Sequence, residues 1–164
     1  MRALLLSLLL VACKNAEPER SPQPTTASKP VAAPAATTGW IEADPATPLA
    51  ATLAAQAELA IKAGKKPHAY LHASWCPPCV EIEKTRATDP KMKAAFGGTH
   101  IIAIDVDRFN SEQFDSAKLK AVVLPIFYRL DDKGAPTGAM IDGGAWGDNT
   151  PDNMAPPLAA FFAK

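Results

Sequence analysis

Cysteine is scarce in this sequence of 164 residues: there are three, at Cys13, Cys76 and Cys79. With Cys76 and Cys79 set three apart in one motif, no pair is left for a structural bridge elsewhere. Charge of one sign is also missing. Seventeen basic residues balance seventeen acidic ones and no basic patch stands out, so nothing argues for a nucleic-acid partner. There is no second CxxC and no His pair, which speaks against a four-ligand zinc site. Val80, where c-type haem attachment needs histidine, speaks against that too. No cofactor and no resident metal is expected. A bilayer-spanning apolar run is lacking as well: residues 3–12, after Arg2, are too few to cross and read as the apolar part of a secretory signal.

That run ends in Leu10-Val11-Ala12-Cys13, which resembles the lipobox of bacterial lipoproteins. The resemblance implies a signal peptide over 1–12 and a lipid anchor on Cys13, placing the protein at the periplasmic side of a bacterial cell envelope. Inner and outer membrane stay open. Residues 13–38 are rich in Pro, Ala and Thr and nearly devoid of large apolar side chains, so they are expected to form a disordered tether. Fully extended, such a segment spans about 75 Å.

Residues 39–164 carry the folded character and set the expectation of one domain. Thr47-Pro48 predicts a helix start, with the hydroxyl as cap and proline in the first position, and Gly64 predicts its stop. His68–Ala73 reads as a short strand and His100–Asp107 as a buried one. Pro78 to about Ala87 is predicted helical, and Asp89-Pro90 caps a short helix ending at Gly97-Gly98. Asn110 and Gln113 predict a capping box opening a helix to about Ala121. "PIFYRL" and "GAMID" read as a hairpin, and a final helix is expected from Pro156-Pro157 with Leu158, Phe161 and Phe162 inward. Strands and helices alternate, then an antiparallel pair and a helix close the domain, which defines an α/β class.

The motif with chemistry in it is Trp75-Cys76-Pro77-Pro78-Cys79. A bridge across so short a loop removes only about 2 kcal/mol of unfolded-state entropy, which favours a redox role over a structural one. Proline suits the first position of a helix, and the residue before a proline is pushed into extended backbone. Cys76 should therefore lie just ahead of a helix, where the dipole and the free N–H groups of Cys79 and Val80 favour its thiolate. Cys76 is the expected nucleophile and Cys79 the resolving thiol. Whether the pair is oxidising or reducing stays open.

WCPPC between a strand and a helix, with Pro125 after Val122-Val123-Leu124, resembles the thioredoxin fold, a central mixed β-sheet flanked by helices. The resemblance implies a cis Pro125 facing the cysteine pair, and contact with substrate by Trp75, Pro77 and Leu124. More closely, "KPHAYLHASWCPPCVEIEKTRATDPKMKAAF" resembles the C-terminal thioredoxin-like domain of the DsbD-type membrane thiol:disulfide interchange proteins. Those proteins usually carry a buried acid six residues before the first cysteine; here Tyr70 stands there. Glu83, four residues after Cys79 and on the same helix face, is the expected replacement, and His72 is placed to tune the pair. Trp146 is expected in the core or at its rim.

The function expected is a membrane-tethered thiol:disulfide oxidoreductase, by resemblance a reductase. It would be a monomer acting on disulfide-bearing envelope proteins and recharged by a membrane thiol donor. A disulfide-introducing oxidase or isomerase is the alternative on the same fold. So is a Cu(I)-handling protein using Cys76, Cys79 and His72.

Overall fold

The computed structural model describes residues 39–164. The expected signal, Cys13 and the tether lie outside the described residues, among which no helix is long and apolar enough to cross a membrane.

Strand β1 (Trp40–Glu42) is followed by helix α1 (Leu49–Lys62), β2 (Lys66–His72), α2 (Pro77–Thr85) and α3 (Pro90–Ala95). Then come β3 (Thr99–Asp105), α4 (Ser111–Ser116), β4 (Ile126–Leu130), β5 (Pro136–Asp142), a single turn of 3-10 helix (Gly143–Ala145) and α5 (Pro151–Ala163). The strands form one mixed sheet in the order β1-β3-β2-β4-β5, in which β1, β3 and β2 run parallel and β4 and β5 are antiparallel to their neighbours.

Alternation along the central strands builds two cores. Ala69 and Leu71 of β2 with Ile102 and Ile104 of β3 face Leu49 and Leu53 of α1. Tyr70, Ile101 and Ala103 point the other way, where they meet Ile82, Met92, Leu158 and Phe162 from α2, α3 and α5. Both faces of the sheet are thus covered, which is why β2 and β3 read as nearly unbroken apolar runs. Trp146 joins the second core at 7% exposure.

Several boundaries differ from those expected, each for a local reason. Pro48, not Thr47, is the N-cap of α1, and no side chain caps it. The turn before it is held by Asp44, whose Oδ1 accepts from the Ala46 N–H and whose carbonyl accepts from Thr47. Gly64 ends α1 as expected: at φ +68° its N–H bonds the Ile61 carbonyl while the Lys65 N–H bonds Ala60, a Schellman closure. β2 starts two residues early because Pro67 lies before the first β2–β4 pair, His68 with Arg129, and no partner there needs its missing N–H. β3 stops at Asp105, whose Oδ1 accepts from the Asp107 N–H and turns the chain.

Helix α4 ends well before Ala121. Lys118 takes φ +55°, and its N–H and that of Leu119 close a second Schellman turn on Asp115 and Phe114. The Asn110 side chain does cap the Gln113 N–H, but Gln113 donates to the Pro45 carbonyl instead of completing the box. The last helix begins at Pro151, not near Pro156. Thr150 is its cap and accepts from Asn153, so Thr150-Pro151 is the true start signal. Pro156 and Pro157 are interior, and the carbonyls they leave without an intrahelical donor belong to Asp152 and Asn153, both exposed residues.

One buried histidine makes the fold acid-sensitive. His68 Nδ1 donates to the Lys66 carbonyl at 3.0 Å, while Nε2 is buried without a partner and the ring packs on Phe161 and Phe162. Burial pushes its pKa down to about 4; the Lys66 hydrogen bond opposes this, and the charges of Arg129 and Lys66 reinforce it. The unfolded chain therefore binds a proton that the folded one refuses between about pH 6.5 and pH 4. Stability should fall with pH across that window, by about 3 kcal/mol at its foot. Urea unfolding at pH 7 and pH 4 should show this loss in the wild type and a correspondingly smaller one in His68→Phe; equal losses would contradict it.

Candidate active site

The site is set by the start of α2. Cys76 is its N-cap, in extended backbone at φ −87° and ψ 110°, and its N–H bonds the Ala73 carbonyl. Pro77 and Pro78 occupy the first two helical positions, so Pro77 is helical where an extended residue was expected. The backbone tolerates this because neither position requires an N–H. The Val80 N–H is also committed, to the Cys76 carbonyl at 3.0 Å. Of the two donors expected to face the Cys76 sulfur, only the Cys79 N–H remains.

Cys76 and Cys79 are joined as a disulfide with Cα atoms 5.2 Å apart, and both residues are buried. They border different spaces. Cys76 lines an apolar groove of about 370 Å³ running between Trp75, Pro77 and Pro78 on one side and Val122, Val123 and Leu124 on the other. Cys79 lines a second cavity of about 250 Å³, shared with His72, Glu83 and Asp105 and with no lining residue in common with the groove.

Around the groove, Trp75 is 64% exposed, and its Nε1 donates to Asp107 Oδ2 at 2.7 Å, which fixes the indole beside the sulfur. The Leu124–Pro125 peptide bond is cis. Leu124 packs against Ala73, Cys76 and Cys79, and the Pro125 carbonyl accepts from the Gly143 N–H at 3.0 Å. A Cβ at Gly143 would lie 3.1 Å from Pro125 Cδ, so the glycine lets β5 approach this loop. Val122, 67% exposed, and Val123 extend the apolar lip.

Behind the disulfide the polar groups converge. Tyr70 is fully buried at the position where the resemblance led one to look for an acid, stacked between Phe127 and His72 with its hydroxyl unpartnered. Burial, then the charges of Glu83 and Glu42, push its pKa well above 10 against the pull of Arg86, so it stays a phenol. Glu83 is half-buried: Oε2 accepts from Arg86 Nε at 2.8 Å and Oε1 is buried without a partner. Arg86 in turn stacks on Trp40, 4.2 Å from the ring centroid. His72 Nε2 lies 3.4 Å from Glu42 Oε2.

Pro77, Trp75 and Leu124 thus gather at the groove with Cys76, while His72 and Glu83 gather behind with Cys79. Sequence reasoning missed Asp107, Asp105, Glu42 and the valines of the lip. Only "DVDR" carried a trace of them, as two acids leaving a buried strand.

A five-stranded mixed sheet in this order, a CxxC disulfide opening the helix after its central strand, and a cis-proline before the antiparallel strand define an α/β protein of thioredoxin-like fold. Among solved structures the chain is similar to the germline-specific thioredoxin protein Deadhead (Thioredoxin-1) of Drosophila melanogaster, at 24% identity over 54% of this chain and 77% of that one, with a TM-score of 0.35. It is also similar to Trxlp from Edwardsiella tarda EIB202, at 19% identity over 74% of this chain and 96% of that one, with a TM-score of 0.43. No protein-family model matches the sequence, and no curated protein does.

Proposed function

We propose that the protein is a thiol:disulfide oxidoreductase working as a reductase, tethered to the bacterial cell envelope through Cys13. The observation that carries the redox reading is the placement of a closed CxxC disulfide at a helix start, one sulfur bordering an apolar groove. In the reduced protein the Cys76 thiolate attacks a partner disulfide. A Cys76–partner bond forms, the partner's other sulfur leaves as a thiolate and is protonated, and Cys79, losing its proton, attacks Cys76 Sγ. The second partner sulfur departs, so the partner gains two electrons and the Cys76–Cys79 disulfide forms. A dithiol donor at the membrane must then reduce it.

Trp75, Pro77, Leu124 and Pro125 are assigned to receive the partner. An apolar groove with exposed Trp75 and Val122 suits a segment carrying apolar side chains beside its disulfide. The helix start supports the reductive direction. Strong oxidants of this chemistry stabilise their reduced thiolate form, and here two prolines and the committed Val80 N–H leave that thiolate one amide donor. The anchor and the envelope location rest on Leu10-Val11-Ala12-Cys13 alone.

Equilibration of the Cys76–Cys79 pair against glutathione and dithiothreitol tests the direction. A potential at or below about −250 mV is expected; a value near −120 mV would make the protein a disulfide-introducing oxidant. The anchor is checked by the mass of the mature protein from a membrane fraction, which should start at a lipidated Cys13.

A further inference from the structure

Resolution of the mixed disulfide requires the Cys79 thiol to lose a proton, and Cys79 is buried away from the groove. The ionisable groups that face its cavity come from three elements: His72 from β2, Glu83 from α2 and Asp105 from β3. Asp105 is the register partner of His72 across the parallel β2–β3 pair. From β1, Glu42 reaches His72, and Tyr70 on the same strand stacks on its ring at 5.0 Å.

Most of these groups are otherwise engaged. Glu83 gives one oxygen to the Arg86 ion pair and keeps the other buried without a partner, which makes it the rival base. Asp105 Oδ1 accepts the Asp107 N–H and closes the turn after β3. The Tyr70 hydroxyl keeps its proton because its anion would be buried beside Glu83 and Glu42. His72 differs from them. With Nε2–H directed at Glu42, its Nδ1 is the nitrogen left to accept, and the carboxylate steadies the imidazolium that results.

We propose that His72, oriented by Glu42, takes the proton from Cys79 during resolution and passes it to solvent through the rear cavity. The step balances: the S–H bond of Cys79 breaks as the Cys76–Cys79 bond forms, the partner sulfur leaves with its electron pair, and His72 holds the proton. At about 250 Å³ the cavity has room for water between the two groups. Although burial lowers the pKa of His72, its hydrogen bond to Glu42 and the charges of Glu42, Glu83 and Asp105 outweigh that and raise it above 6.5. A base must be unprotonated to act, so resolution should accelerate as pH rises through an inflection above 6.5.

The proposal rests on the redox reading, and stopped-flow mixing of the reduced protein with 5,5′-dithiobis(2-nitrobenzoate) separates the two. Attack by Cys76 releases one coloured thiolate and resolution by Cys79 the second. In the wild type the second phase should show the inflection. In His72→Asn it should be roughly a hundredfold slower at pH 7 and lose it. In Glu42→Gln the inflection should move to lower pH. The first phase, involving Cys76 alone, is the internal reference, and Cys79→Ser isolates it. An inflection that survives in His72→Asn, or that disappears in Glu83→Gln instead, overturns the proposal and leaves the redox reading standing. Release of only one thiolate per protein in the wild type removes both.

Discussion

Replacing Cys76 by serine is expected to abolish disulfide exchange, and replacing Cys79 by serine to stop it halfway. The asymmetry follows from the spaces the two sulfurs border. Cys76 lines the groove where a partner disulfide can lie, so without it no bond to the partner forms and turnover should drop to the uncatalysed background. Cys79 borders the rear cavity and can reach only Cys76, so Cys79→Ser should still attack and then accumulate a covalent adduct through Cys76. Non-reducing gels and mass spectrometry of each variant, incubated with a model disulfide such as oxidised glutathione, read the result directly. An adduct on Cys76→Ser, or none on Cys79→Ser, would reverse the assignment of nucleophile and resolving thiol.

The largest effect on stability is expected at Gly134, in the turn that joins β4 to β5. Its φ is +79°, and an added Cβ would lie 2.5 Å from the Ala54 nitrogen and the Leu53 carbonyl carbon, backbone atoms of α1 that cannot yield without moving the helix. The turn is fixed from within: Asp131 Oδ1 accepts from Lys133 and Ala135, and the Gly134 N–H bonds the Asp131 carbonyl. Gly134→Ala thus combines left-handed strain of about 1 kcal/mol with a backbone clash, for a loss of roughly 2–4 kcal/mol. Gly138 is the control. It sits at φ +88° with nothing within 4 Å of its would-be Cβ, so Gly138→Ala should lose only the strain. Urea denaturation of the two variants separates clash from strain, and equal losses would show that the turn does not press on α1.

The local parts of this site were legible in the sequence because their geometry is set by neighbours along the chain. CPPC announces a helix start from the rules of proline and capping alone, and Asp89-Pro90 does the same for α3. Even there the register slipped by one: Pro77 is helical, and the N–H of Val80 was spent on Cys76. The start of α5 was misplaced for a similar reason, since Pro156-Pro157 resembles a helix opening more loudly than Thr150-Pro151, and only the packing of Met154 and Leu158 in the second core decides between them. What could not be read was convergence. His72 meets Glu42 from thirty residues upstream and Asp105 from about as far downstream, and Trp75 meets Asp107, because of parallel pairing whose register no local pattern records.

The disulfide stands as a partition one bond thick, with a greasy vestibule in front and an ionisable chamber behind. A partner broad enough to cap the vestibule and shut out water there leaves the chamber, bordered by half-exposed Val80 and Glu83, still wet. On the proposed mechanism electrons and protons would then travel by separate doors, and tight capture of a client would not stall the chemistry it came for.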